Sequence, residues 1–224
     1  MISLPFKQIN KVLCLGAHAD DIEIGCGGTL LTLIKENPDV EICWVVLSGS
    51  QQRETEARNS AQAFLQNVRK KEIHVKAFRD AHFPYEHAAD LKAYLANLAG
   101  QVSPDLIFTH RREDRHQDHR LVADLTWQHF RNHWVWEYEI PKYEGDLGQP
   151  NLFVALTEDD CQRKARKIIR EFPSQLEKPW FSTETLLALM RIRGVECQAP
   201  SGYAEGFYCR KIRFGDSGRE AHTV

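Results

Sequence analysis

KVLCLGAH, residues 11–18, is an apolar run that closes on Gly16 and then on a histidine. A run with no charge after its first residue reads as a strand buried on both faces. Working forward, IGCGGTLLTLIKENP (24–38) is a glycine-rich turn that enters a helix and stops at Asn37-Pro38. VEICWVVLS (40–48) is a second apolar strand, and RETEARNSAQAFLQ (53–66) carries Ala57, Ala61, Phe64 and Leu65 at helical spacing. The same alternation recurs with strands EIHVKAF (72–78) and DLIFTH (105–110) and helices HAADLKAYLANLAGQV (87–102) and HRLVADLTWQHFRNH (119–133). Strand and helix thus alternate about four times, with strands apolar throughout. That pattern predicts an α/β fold: a doubly wound, Rossmann-like, mostly parallel sheet in three layers. Right-handed crossovers place the C-terminal strand ends along one edge, where open sheets of this kind bind their ligands.

The last third predicts a strand-and-helix extension. WVWEYEIPK (134–142) alternates apolar and charged residues, which predicts a half-exposed strand. LFVALT (152–157) and EGFYCRKIRF (205–214) read as strands, and EDDCQRKARKIIREF (158–172) and TETLLALMRIRGV (183–195) as helices. The stretch 137–151 is the most loop-like. With 224 residues, 42% of them apolar, the chain suits one core, and residues 1–224 are expected to form a single domain.

The formal net charge of −2 gives no broad attraction for nucleic acid or an anionic membrane. The longest apolar run, Ile42 to Leu47, is far short of the ~20 residues of a membrane span. MISLPFKQINKVLCLG at the N-terminus lacks the pattern of a secretory signal. Cys14, Cys26, Cys43, Cys161, Cys197 and Cys209 include no C-x-x-C pair, so free thiols in a reducing, cytoplasmic setting are expected.

The first predicted strand ends in GAHADDIEIGCGG, with His18, Asp20 and Asp21 within four residues. A tight turn can aim His18 and Asp21 at one point, and imidazole plus carboxylate suits Zn²⁺. Asp20 could face the open side of the metal as a base, or one of the two aspartates could simply cap the next helix. The fourth strand ends in THRREDRHQDHR, holding His110, Asp114, His116, Asp118 and His119. His116 and His119 share a face on a helical turn. Catalytic zinc usually takes three protein ligands, so His18, Asp21 and one histidine from this segment would complete a set. The remaining histidine could act as an acid or an oxyanion stabiliser. A charged, solvated loop is the plain alternative.

These two segments resemble the signatures of the LmbE-like, or PIG-L-like, N-deacetylase family. The first motif stands as Ala17-His18-Ala19-Asp20-Asp21-Ile22 followed by G-C-G-G-T-L, and the second as His116-Gln117-Asp118-His119. Ala19 and Gln117 each replace the family's usual proline and remove no reacting group. Weaker echoes are Arg53-x-x-Glu56, Asp80 and Ala204-Glu205-Gly206-Phe207. The resemblance implies zinc held by His18, Asp21 and His119, with Fe²⁺ or Co²⁺ as alternatives on the same ligands. It implies Asp20 as general base and a protonated His116 as oxyanion stabiliser with Asp118 beside it. The implied reaction is hydrolysis of the N-acyl, typically N-acetyl, amide of an amino sugar or its conjugate.

Substrate contacts are expected at Arg53 and Asp80. They are also expected at Lys142 and Tyr143, which leave the strand after Pro141 and could meet an acidic group and a sugar ring. Trp136 and Tyr138 on that strand are assigned to the core. The expected partner is a small amino-sugar substrate or conjugate; the sequence is compatible with a homo-oligomer and does not fix the oligomeric state. Two other classes compete: a metal-binding protein of the same fold without catalysis, and a metal phosphoesterase. The first would lack Asp20 or His116; the second usually needs two metals and more carboxylates.

Overall fold

The computed structural model describes residue 6 and residues 9–213. In chain order the elements are β1 (Lys11–Gly16), α1 (Asp21–Glu36), β2 (Glu41–Ser48), α2 (Gln51–Phe64), β3 (Lys70–Phe78), α3 (Ala88–Gln101), β4 (Leu106–His110), α4 (Gln117–His129), β5 (Trp134–Tyr138), β6 (Leu152–Ala155), α5 (Glu158–Glu171), α6 (Thr183–Glu196) and β7 (Ala204–Cys209). They build one 7-stranded sheet in the order β3-β2-β1-β4-β5-β7-β6. The first five strands of that order run parallel, and β7 lies antiparallel between β5 and β6. Among the described residues no helix is long and apolar enough to cross a membrane.

The strand period of two sorts β1 between the faces: Val12 and Cys14 join one core, Leu13 and Leu15 the other. The first core takes α1, α2, α5 and α6 through residues such as Leu30, Phe64, Ile168 and Met190. The second takes α3 and α4 through Leu91, Leu95, Val122 and Leu125. This is the expected three-layer, doubly wound sheet. All six cysteines are free.

Two expectations need correction. The strand expected to be half-exposed, β5, is an interior strand between β4 and β7, and both its faces are covered. Its charged face is closed by partners rather than water: Glu137 accepts from Arg210 and from the Trp127 indole, and Arg193 holds Glu139 through both carboxylate oxygens. Alternation signals a wet face only when no cation arrives from elsewhere in the chain. The last strand also ends sooner than expected, at Cys209, and Phe214 lies outside the described residues. Trp136 and Tyr138 are in the core as expected.

The G-C-G-G run of α1 has a packing reason. A Cβ on Gly25 would lie 2.2 Å from the Tyr138 ring, and one on Gly28 would lie 2.6 Å from Leu156 and 3.0 Å from the Glu205 carboxylate. That close approach lets Glu205 accept from the Gly28 and Thr29 N–H groups at 2.8 and 2.7 Å. Lys164 of α5 bridges Glu205 and the Ile24 carbonyl, each at 2.6 Å. The pair is enclosed, with side chains only 3% and 4% exposed. It clamps α1 between α5 and β7, and α1 carries the first site segment at its N-terminus.

Candidate metal centre

In the sheet order, β1 and β4 are neighbours whose following helices pack on opposite faces. The chain therefore parts at their C-terminal ends and leaves a crevice. The β1 end delivers His18, Asp20 and Asp21, and the β4 end delivers His110 to His119. A cavity of about 630 Å³ opens there, lined by His18, Asp20, Asp21, His116 and His119 among others.

His18 Nδ1 and His119 Nε2 face each other at 3.0 Å. The Asp21 carboxylate lies 3.4 Å from the first and 3.5 Å from the second. Each imidazole has its other nitrogen committed. His119 Nδ1 meets Asp114 Oδ2 at 3.0 Å, and His18 Nε2 meets Asp80 Oδ1 at 2.9 Å and Asp118 Oδ2 at 3.2 Å. Carboxylates fix a proton on the outer nitrogens, so a cation that displaces the inner proton of His18 would meet both inner nitrogens at one point beside a carboxylate. Two imidazoles and a carboxylate are donors that suit a divalent transition metal such as zinc.

The electrostatics agree with a cation site. Burial opposes charge on His18, yet Asp21, Asp118 and Asp80 together hold its pKa well above the ordinary value. Burial likewise resists ionisation of Asp21, but His119, His110 and His18 keep its carboxyl well below the usual range. His119 is pushed down to about 3 by burial and by His110, so its nitrogen is available as a donor atom.

The groupings of donor atoms that lie within 4.8 Å of one another in this crevice are His18/His116/His119, His18/Asp80/His116/Asp118 and Asp21/His110/His119, and each shares members with the His18/Asp21/His119 set. Hydrogen bonds already engage a donor in each, as the His18 N–H engages Asp21 at 2.6 Å. His116 Nδ1 accepts from the Asp118 N–H as the cap of α4, and His110 Nε2 accepts from the Ala17 N–H at 2.9 Å. In the second set, Asp118 is bound to backbone as well as to His18.

Asp20 stands at the N-cap position of α1, but its side chain makes no capping bond. Its Oδ1 instead meets Arg53 at 2.9 Å. Burial raises its carboxyl, with Arg53 pulling the other way. The capping alternative for Asp20 therefore has no support in the geometry.

Residues 13–130 match the family model described as PIG-L, GlcNAc-PI de-N-acetylase, which is more than half of the chain. The chain belongs to the PIG-L family. Over 138 residues it is 30% identical to the diacetylchitobiose deacetylase of Thermococcus kodakarensis, covering 55% of this chain and 50% of that protein. It thus spans about half the length of that curated relative. The N,N'-diacetylchitobiose deacetylase of Pyrococcus horikoshii superimposes with a TM-score of 0.67 at 25% identity, over 91% of this chain and 84% of that one. The 4-carboxy-2-hydroxymuconate hydratase of Pseudomonas putida gives 0.71 at 17% identity, over 93% and 99% of the two chains. The last likeness concerns the fold alone, and its name belongs to a different reaction, so the site must carry the functional argument.

In this PIG-L chain several residues take other partners than their motif position suggests. The Asp118 carboxylate, expected beside His116, turns to His18 and to the Ala81 and Phe83 N–H groups at 2.7 and 3.1 Å. His116, expected to be protonated, is held below the ordinary imidazole value, first by burial and then by His18. Arg53 reaches the cleft, but its guanidinium is shared between Asp20 and Glu56. Asp80 also lines the cleft, and His18 holds its carboxyl down to about 2. Tyr143 is an exposed wall of the cleft. Lys142 lines it too, yet its ammonium is buried between Asp114 and Asp146 at 2.9 and 2.7 Å.

Residues without a role in the sequence reading now have one. Asp114 orients His119 and is itself held by Lys142. Partners of this kind typically contribute 10–100-fold to metal affinity, so Asp114→Asn should weaken metal binding by about that factor in a chelator competition. His110 packs 3.9 Å from the His119 ring and anchors the first turn through Ala17. Lys178 and Trp180 form a further wall of the cleft, contributed by the segment between α5 and α6. No motif spacing marked those two, because they are over fifty residues past the second motif.

Proposed function

We propose that the chain is a metal-dependent N-deacetylase that hydrolyses the acetamido group of an amino sugar or sugar conjugate. Zinc is the fitting metal and His18, Asp21 and His119 its ligands. The observation that carries this is the convergence of two carboxylate-oriented imidazoles and Asp21 beside a non-capping Asp20, all facing one cleft. Zinc in such a set lowers the pKa of a bound water to about 7 and polarises a carbonyl.

The chain's own groups then handle the protons. Arg53 holds Asp20 Oδ1, which leaves Oδ2 to accept the proton of the attacking water. The raised Asp20 carboxyl can hold that proton and pass it to the departing amine. His116 need not be cationic: with Nδ1 accepting from the Asp118 N–H, its neutral ring carries the proton on Nε2 and can donate it to the substrate oxyanion. One preorganised donor of this kind is worth ~3–4 kcal/mol in the transition state. Support for a sugar substrate comes from the names of the two deacetylases the chain resembles and from a cleft walled by Tyr143 and Trp180, whose faces suit a sugar ring. The test is acetate release from a panel of N-acetylated sugars by metal-loaded protein, with no release after chelation.

Charge selectivity is assigned to Lys178 in place of Lys142. Lys142 is neutralised by two aspartates, Arg53 by Asp20 and Glu56, and Arg79 by Glu86. Among the described residues Lys178 makes no ion pair, although it acts on Asp20 at longer range; it lines the same cleft and sits 5.7 Å from the Trp180 ring centroid. An anionic conjugate should therefore be preferred over the neutral sugar. Lys178→Ala should lower the anionic-to-neutral ratio of kcat/KM by up to about fivefold, since an exposed charge contact contributes up to about 1 kcal/mol. Lys142→Ala should leave that ratio unchanged and weaken metal binding instead. A ratio that falls only in Lys142→Ala would return the role to that residue.

A further inference from the structure

We propose that the chain carries a second metal site, formed by Cys43, Glu72 and His74 at the β2–β3 edge of the sheet and suited to zinc or another borderline-soft cation. The register pairs Cys43 with Glu72 and Val45 with His74. Paired residues of neighbouring strands, and residues two apart on one strand, share a face. Sγ of Cys43, a carboxylate oxygen of Glu72 and a ring nitrogen of His74 lie within 4.8 Å of one another. His74 Nε2 is 3.5 Å from Glu72 Oε2. Thiolate, imidazole and carboxylate are the three donor types zinc takes, and three ligands leave a fourth position open.

A second observation points to the same place. The Tyr94 hydroxyl of α3 is buried and has no hydrogen-bond partner among the described residues. Cys43 is near enough to act on it electrostatically. Cys43 is itself only 3% exposed. A buried hydroxyl lacking an acceptor needs an explanation. Metal binding would displace the Cys43 proton to solvent, leaving a thiolate on the same face as Tyr94. Cation, thiolate and carboxylate sum to zero charge, so Lys76, whose ammonium lies 4.5 Å from the Tyr94 ring centroid, does not oppose the site.

Charged residues on an edge strand also discourage strand-to-strand aggregation, and β3 is an edge strand. That accounts for Glu72 and His74, which face water, but not for the inward thiol and hydroxyl beside them. The site is separate from the cleft. Cys43 precedes Ser48, a cleft residue, by five positions on β2, or roughly 16 Å at ~3.3 Å per residue. A metal there would fasten β3 to β2.

Cobalt titration of the full chain tests this, because a cobalt–thiolate bond gives a near-ultraviolet charge-transfer band and the cleft ligands contain no sulfur. The expected result is a second cobalt equivalent with that band. Both should be lost in Cys43→Ser and in the exposed-site variant His74→Ala, and both should survive in Asp21→Asn, which removes the first equivalent. A single equivalent without the band would overturn the site, as would a band that survives His74→Ala. A band persisting in Cys43→Ser would place the thiolate at another cysteine and equally overturn it.

Discussion

Replacing Asp20 with asparagine should leave metal content intact and remove most of the turnover, about 10²- to 10⁴-fold in kcat, the usual range for a lost general base. The substitution keeps the shape of the side chain. It should cost little stability, because Asp20 caps nothing on α1 and Arg53 keeps Glu56 as a partner. It removes the oxygen proposed to take a proton from the attacking water. The measurement is kcat on an N-acetyl sugar with metal per chain determined on the same sample. Near-normal turnover at full occupancy would leave Asp20 as a structural partner of Arg53 and sink the base assignment.

The second large effect concerns stability. Lys164→Met should destabilise the fold by about 3–5 kcal/mol, because removing one partner of an enclosed ion pair strands the other charge. Glu205 would keep the Gly28 and Thr29 N–H groups but lose its cation, and the Ile24 carbonyl would lose its donor. Denaturant unfolding of Lys164→Met, Glu205→Gln and the double variant reads this. The double variant should lose clearly less than the sum of the singles, since the stranded charge is then gone. A loss under about 1 kcal/mol in Lys164→Met would mean that water replaces the ammonium and that the clamp on α1 lies elsewhere.

The sequence carried the order of elements and the chemistry of the two motif segments. Apolar period and glycine punctuation act locally: KVLCLG can only be a buried strand, and the residues after Gly16 must then stand at its C-terminal end. Because right-handed crossovers leave few topologies, the juxtaposition of His18 and Asp21 with one histidine of the second segment could be foreseen from residues a hundred positions apart, and the family resemblance singled out His119. The family resemblance added the roles.

What lay beyond the sequence were partnerships made across the chain. Glu137 and Glu139 read as a wet strand face, and only Arg210, Trp127 and Arg193 closing over them make β5 an interior strand. Lys142 read as a free cation for substrate, and only Asp114 and Asp146 show that its charge is consumed. Asp118 stood next to His116 in sequence but reaches His18. Lys178 and Trp180 reach the cleft because the segment after α5 folds over the same core face as α1 and α2. Periodicity reports which side of an element is apolar, and that is a local property of the chain. Which charge meets which depends on the distance between side chains brought together by packing, and a buried charge finds its partner wherever the tertiary fold supplies one.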